Sequence, residues 1–233
     1  MSQYPLPTTK NHDEFIGIVC HELRTPLTLL TAIVQLLNKK CDAVDDKSIN
    51  KSLAKAEEQI KKMGNLVNDF LNVSFLETGT IALEKTEFKL NHLIGEVVEE
   101  TRDMVKNHFI ILDCDDPVMV CADRGKIGCV LSNLLSNAIK YSPQGRSIYV
   151  KCFRSVNKVI VRVRDEGIGI KPEHLDRLFE RFFRVDSETT PKVEGFGIGL
   201  YLSAAIIKQH EGKIWADSEY SKGSTFYFSL PVN

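Results

Sequence analysis

In the first third of the chain, apolar residues recur at alternating spacings of four and three. One run is Ile16, Cys20, Leu23, Leu27, Leu30, Val34 and Leu37; a second is Ile49, Leu53, Ala56, Ile60, Met63, Val67 and Phe70. Such a repeat makes one stripe of a helix apolar and asks for a second helix to cover it. Between the runs lies polar Lys39-Lys-Cys-Asp-Ala-Val-Asp-Asp-Lys47, a turn segment. The first run predicts a helix from about residue 11 to residue 40, and together the two form an antiparallel hairpin. One hairpin cannot enclose both stripes. Two chains pairing into a four-helix bundle is the economical solution, and packing of the hairpin on the rest of its own chain is the alternative.

His21 and Glu22 stand beside the apolar stripe, not in it. A histidine outside the seam and next to a carboxylate is available to react, although an ordinary solvated histidine occupies the same kind of slot. Pro26 interrupts the helix five residues later. A proline inside a helix removes a hydrogen bond and costs about 3 kcal/mol, which predicts a kink or local loosening there.

With 233 residues the chain is long enough for two domains, and 43% hydrophobic with 26% charged residues is ordinary for a globular protein. A formal net charge of −1 argues against a nucleic-acid partner, which asks for a strongly basic surface. No apolar run approaches the roughly 18 residues of a membrane span, and the opening stretch lacks the apolar core of a signal peptide. Six cysteines show neither a CxxC pair nor a His/Cys cluster, so neither a disulfide framework nor a zinc site is indicated. Cys20 reads as a small buried hydrophobe of the stripe.

Glu77-Thr-Gly-Thr80 breaks the repeat. A helical domain is therefore expected at residues 1–80, a hinge at 81–87 and a mixed α/β domain at 88–233. In the last, helices are expected at 90–106, 123–140, 173–182 and 198–210, and strands at 109–114, 118–122, 147–154, 158–164, 213–219 and 224–231. Helices covering one face of a mixed sheet give a two-layer α/β sandwich.

Three segments of this domain carry chemistry. Asn133, Asn137, Lys140 and Tyr141 share one helical face opposite apolar Leu134, Leu135 and Ala138. Side-chain carbonyls suit a hydrated Mg²⁺ and a lysine suits phosphate, though a solvated face has the same look. Asp165-Glu-Gly-Ile-Gly-Ile170 follows an apolar strand. There Gly167 and Gly169 allow close backbone approach, and Asp165 offers an acceptor suited to the exocyclic amine of adenine. A glycine-bearing turn with an ordinary acidic residue is the plainer alternative. Gly195-Phe-Gly-Ile-Gly-Leu200 opens a helix, where backbone N–H groups cradle anions. Its spacing does not fit the dinucleotide-binding pattern. Between the glycine segments lie Leu178-Phe-Glu-Arg-Phe-Phe-Arg184, an aromatic anchor or plain core, and a polar stretch that reads as a lid.

In this order the segments resemble the sensor histidine kinases of two-component signalling. His-Glu-Leu-Arg-Thr-Pro-Leu at 21–27 is similar to the family's H box, Asn133 to Tyr141 to its N box, and Asp165 to Gly169 to its G1 box. Phe179 to Phe183 is similar to the F box and Gly195 to Gly199 to the G2 box. The resemblance runs from Phe15 to Val232. It implies a dimerisation and histidine-phosphotransfer hairpin, then an ATP-binding domain of the Bergerat type shared with gyrase, Hsp90 and MutL.

On that resemblance His21 is the phosphoacceptor. Glu22 orients or deprotonates its ring, and Thr25 positions water when the kinase dephosphorylates its partner. Asn137, assisted by Asn133, holds Mg²⁺, while Lys140 and Tyr141 line the nucleotide. Asp165 reads the adenine amine, Gly167 and Gly169 shape its loop, and Phe179 and Phe182 anchor the lid. Gly195, Gly197 and Gly199 cradle the phosphates, and Arg184 stabilises the transferring phosphoryl. The resemblance further implies ATP and Mg²⁺ as cofactors, a homodimer, and a response regulator receiver domain as partner. It implies phosphatase activity toward that partner, a cytoplasmic location, and membrane attachment only through segments absent from this chain. Cys20, Glu166 and Phe196 depart from the family's usual residues without removing any of these roles. The other readings are an adaptor that no longer uses ATP, which has no need of Asn137 or Asp165, and an ATP-driven conformational machine, which has no need of the H box.

Overall fold

The computed structural model describes residues 26–34, 83–105, 107–114, 117–142, 146–185 and 197–232, with single helical positions at 49, 52, 53, 55, 56, 59, 60, 63 and 64. The chain divides into two compact units, Met1–Thr78 and Gly79–Asn233.

In the first unit, residues 26–34 are helical, Pro26 included, and so are the described positions of the second apolar run. Ile33 is buried, yet Leu27, Val34, Leu53 and Ile60, all members of the expected stripes, are 54%, 51%, 47% and 60% exposed.

The second unit begins with a short strand, β1 (Thr86–Lys89), which takes in Thr86 and Glu87 from the expected hinge. Helix α1 (Leu90–Met104) follows, then β2 (Phe109–Cys114), β3 (Met119–Ala122) and helix α2 (Arg124–Tyr141). Strands β4 (Ser147–Ser155) and β5 (Lys158–Arg164) form a hairpin. After them come α3 (Pro172–Leu175), α4 (Gly199–Gln209), β6 (Lys213–Glu219) and β7 (Gly223–Pro231). β1 pairs with β3, and the main sheet has the order β2-β4-β5-β7-β6, antiparallel except for the parallel pair β2 and β4.

The alternation expected of half-buried strands is realised: Val159, Val161 and Val163 of β5 are buried, with Lys158 and Arg164 at its exposed ends. These valines join Ile148 and Val150 of β4 and Phe226, Phe228 and Leu230 of β7 in one core. The apolar faces of α1 (Leu90, Leu93, Ile94, Val97, Val98), α2 (Ile127, Val130, Leu131, Leu134, Leu135, Ala138) and α4 (Ile206, Ile207) complete it. The result is the two-layer α/β sandwich expected from the pattern.

Asp123 starts α2 as its cap, not as its first helical residue: its Oδ1 accepts from the Lys126 N–H at 3.0 Å. A cap of this kind contributes about 1 kcal/mol. The helix expected at 173–182 is limited to four residues, α3, with proline at its first turn. Phe182 has φ +63°, which no continuing right-handed helix can contain. Its N–H donates instead to the carbonyl of Gly197 at 3.1 Å, a partner far along the chain.

Candidate functional site

The polar face of α2 is placed as its spacing requires. Asn133 and Asn137 are half-buried, Lys140 is exposed and Tyr141 is 39% exposed with the remainder covered, while Leu134, Leu135 and Ala138 face the core. Close approaches, each made possible by a glycine, bring the other segments to this helix or to one another.

The first approach joins the loop after β5 to the end of α2. The Ile168 N–H donates to the Tyr141 carbonyl at 3.1 Å. A Cβ on Gly167 would overlap that same carbonyl oxygen and come within 2.8 Å of Asp165 Oδ1. Gly169, at φ +66°, lies against the Glu219 carbonyl in the turn between β6 and β7. The second approach joins the aromatic segment to the start of α4. Gly197 has φ +68°, and a Cβ there would stand 2.6 Å from the Phe183 carbonyl oxygen. The third joins α4 to α2, because a Cβ on Gly199 would overlap Asn133 Oδ1.

Asn133 is itself held in place. Its Nδ2 donates to Ser203 Oγ at 3.0 Å, and Ser203 Oγ donates to the Gly199 carbonyl at 2.9 Å. Asn137 and Lys140 make no side-chain hydrogen bond or ion pair among the described residues, so their polar atoms are available to a ligand. The first turn of α4 has no side-chain cap, which leaves its N–H groups to solvent or to an anion.

Asp165 is 3% exposed. Its Oδ1 accepts from the Gly167 N–H at 2.8 Å and the Ser224 N–H at 3.2 Å; Oδ2 has no partner among the described residues. Burial raises the carboxyl above the ordinary aspartate range, and the backbone N–H groups of Gly167, Ser224 and Asp165 itself, with the charge of Arg164, work against that rise. Tyr141 is likewise raised by burial and opposed by the positive charge of Arg184, so these two residues share one electrostatic neighbourhood. Phe179 and Phe183 pack against the core, Arg177 lies 4.4 Å over the Phe183 ring, and Arg181 lies 4.8 Å over the Phe182 ring. His21, Glu22, Thr25 and Gly195 lie outside the described residues.

The sequence reading missed Ser203, Ser224 and Gly223, although each supports a site residue. Gly223, at φ +124°, leaves room for the Asp165 carbonyl, and Ser224 supplies one of the donors that hold the carboxylate. Lys222-Gly223 signals a turn and nothing more. That the turn serves Asp165 follows only from the pairing of β5 with β7, which sets Arg164 opposite Thr225.

Comparison with known proteins agrees with this geometry. The chain matches the family model of the His Kinase A (phospho-acceptor) domain over residues 11–79. It matches that of the histidine kinase-, DNA gyrase B- and HSP90-like ATPase over residues 122–233. The sensor protein kinase WalK of Staphylococcus aureus is 32% identical over 221 residues, which covers 94% of this chain and 53% of WalK. The chain thus spans about half the length of the relative it matches, and 36% of WalK from Staphylococcus epidermidis. The catalytic domain of the histidine kinase ThkA is 34% identical with a TM-score of 0.54, covering 64% of this chain and 96% of that one. ThkA in complex with the response regulator protein TrrA gives a TM-score of 0.71 at 29% identity, covering 94% of this chain and 61% of that one. Phospho-acceptor segment first, gyrase- and HSP90-like ATPase fold second, the chain belongs to the sensor histidine kinases of two-component systems.

Proposed function

We propose that this chain is a kinase core that moves the γ-phosphoryl of ATP onto His21 and from there to an aspartate of a response regulator receiver domain. The observation that carries the reading is Asp165, a buried carboxylate with one oxygen taken by two backbone donors and the other left for a ligand. An acceptor so placed suits the exocyclic amine of adenine and repels the carbonyl that guanine carries at the same edge.

The residues singled out in the sequence then divide the work. Gly167 and Gly169 seat the adenine loop, and Tyr141 lines the same end of α2. Lys140 brings positive charge to the phosphates, and Gly195, Gly197 and Gly199 with the uncapped start of α4 supply backbone donors. Phe179 and Phe182 anchor the segment ahead of Arg184, which stabilises charge on the phosphoryl as it transfers. Glu22 orients or deprotonates the imidazole, so that the far nitrogen of His21 forms the N–P bond as the bond to the β-phosphate oxygen breaks and ADP leaves. Thr25 places water for the reverse task, dephosphorylation of the partner.

Asn137 and the Oδ1 of Asn133 would hold Mg²⁺. The described residues contain no group of three or more His, Cys, Asp or Glu able to hold a metal. An ion here would keep most of its water and lean on phosphate oxygens, as Mg²⁺ does. It would supply charge neutralisation of the phosphates.

The exposed stripe of Leu27, Val34, Leu53 and Ile60 supports a homodimer through the hairpin. The complex of ThkA with TrrA supports a receiver domain as partner. Among the described residues no helix is long and apolar enough to cross a membrane, in keeping with a core that works on the cytoplasmic side of a longer sensor. The test is incubation with Mg-ATP labelled at the γ position. The chain should gain an acid-labile, alkali-stable phosphate, and His21→Gln should abolish it; a label that persists in that variant overturns the assignment.

A further inference from the structure

We propose that Cys114 and Cys152 form a redox-responsive dithiol, a modification site at which a hydroperoxide closes an intrachain disulfide. The site uses none of the residues assigned to nucleotide binding or phosphotransfer and stands independently of that function.

The pairing of β2 with β4 sets Cys114 directly opposite Cys152. Opposed residues of a parallel pair project from the same face of the sheet. Here Ile110, Leu112 and Cys114 of one strand accompany Ile148, Val150 and Cys152 of the other into a single core. Neighbouring strands lie about 4.8 Å apart, inside the roughly 4.4–6.8 Å separation of Cα atoms that a disulfide spans. No disulfide joins them here.

Position distinguishes the two thiols. Cys152 is 3% exposed, whereas Cys114 is half-buried and ends an edge strand. β2 has a neighbour on one side only, so its end can shift in the plane of the sheet to bring the Cβ atoms together. The other described cysteines have no such arrangement: Cys121 is opposite Glu87, and Cys129 lies on α2.

The chemistry balances. The Cys114 thiolate attacks the peroxide oxygen, the O–O bond breaks, and a sulfenic acid forms with loss of water or an alcohol. The Cys152 sulfur then attacks the Cys114 sulfur; the S–S bond forms, the S–O bond breaks, and water leaves with the Cys152 proton. Each sulfur gives up one electron, and the peroxide takes both.

The test treats the full chain with hydrogen peroxide, alkylates remaining thiols, and maps tryptic peptides without reduction. The expected product joins the peptide 152–154 to the peptide 107–124, and dithiothreitol reverses it. The longer peptide holds both Cys114 and Cys121. Cys121→Ser should therefore keep the link and Cys114→Ser should lose it. The proposal is overturned if the link survives Cys114→Ser. It is equally overturned if Cys152 of the wild type stays open to alkylation after unfolding, while Cys121 and Cys129 have been oxidised.

Discussion

Helix α1 and the hairpin segment at residues 26–34 carry apolar residues at similar spacings and meet opposite fates. Leu90, Ile94 and Val98 of α1 are 0% exposed, whereas Leu27 and Val34 of the hairpin stand about half in solvent. The pattern differs little; the cover differs. α1 lies against a sheet its own chain provides, while among the described residues nothing covers Leu27 and Val34 to the same degree. Periodicity thus announces that a face is to be buried without saying by which molecule.

The strongest test of that contrast charges the exposed stripe. Leu27→Asp with Val34→Asp should weaken dimerisation about a hundredfold or more, since an unpaired carboxylate in an apolar interface costs several kcal/mol. Sedimentation should report a monomer, with the melting of the α/β unit unchanged; a dimer of undiminished affinity would break the contrast. Ile94→Ala probes the other side of it. Removing that fully buried side chain should cost about 2–5 kcal/mol in denaturant unfolding of the second unit and leave association untouched.

Two smaller effects sharpen the comparison within the second unit. Gly167→Ala sets a methyl group against the Tyr141 carbonyl and should cost about 1–3 kcal/mol, with a parallel fall in nucleotide affinity by calorimetry. Asp165→Asn should act in the reverse direction on stability. Burial raises this carboxyl above its ordinary value, so stability due to its protonated form is fully present below the unfolded pKa and fades as pH rises through the folded one. At neutral pH the substitution should therefore stabilise the fold while removing ATP binding. Thermal melts should show the gain shrinking as pH falls through the carboxylate range. A loss of stability at neutral pH would contradict the burial argument.

Most elements of the second unit were legible because their periods are clean. The valines of β5 and the apolar face of α2 declare strand and helix unaided. What stayed hidden depends on partners far along the chain. β1 has no apolar alternation in Thr-Glu-Phe-Lys and exists through its pairing with β3, more than thirty residues away. Beyond α3 the aromatic segment has helical spacing but is turned aside by the bond from Phe182 to Gly197. In the site, Asp165, Asn137 and the glycines were visible as residue types in a suggestive order. The roles of Ser203 and Ser224 were not, since one hydroxyl and one backbone N–H acquire meaning only when α4 and β7 are in place.

The bond between residues 182 and 197 also governs how the stretch between them can vary. Its ends are pinned by main-chain atoms and by a glycine pressed on a carbonyl, so neither anchor depends on what the intervening side chains are. Closing a longer loop on fixed ends is cheap, about 0.6 kcal/mol for each doubling of length. Lengthening there should therefore cost the sandwich little.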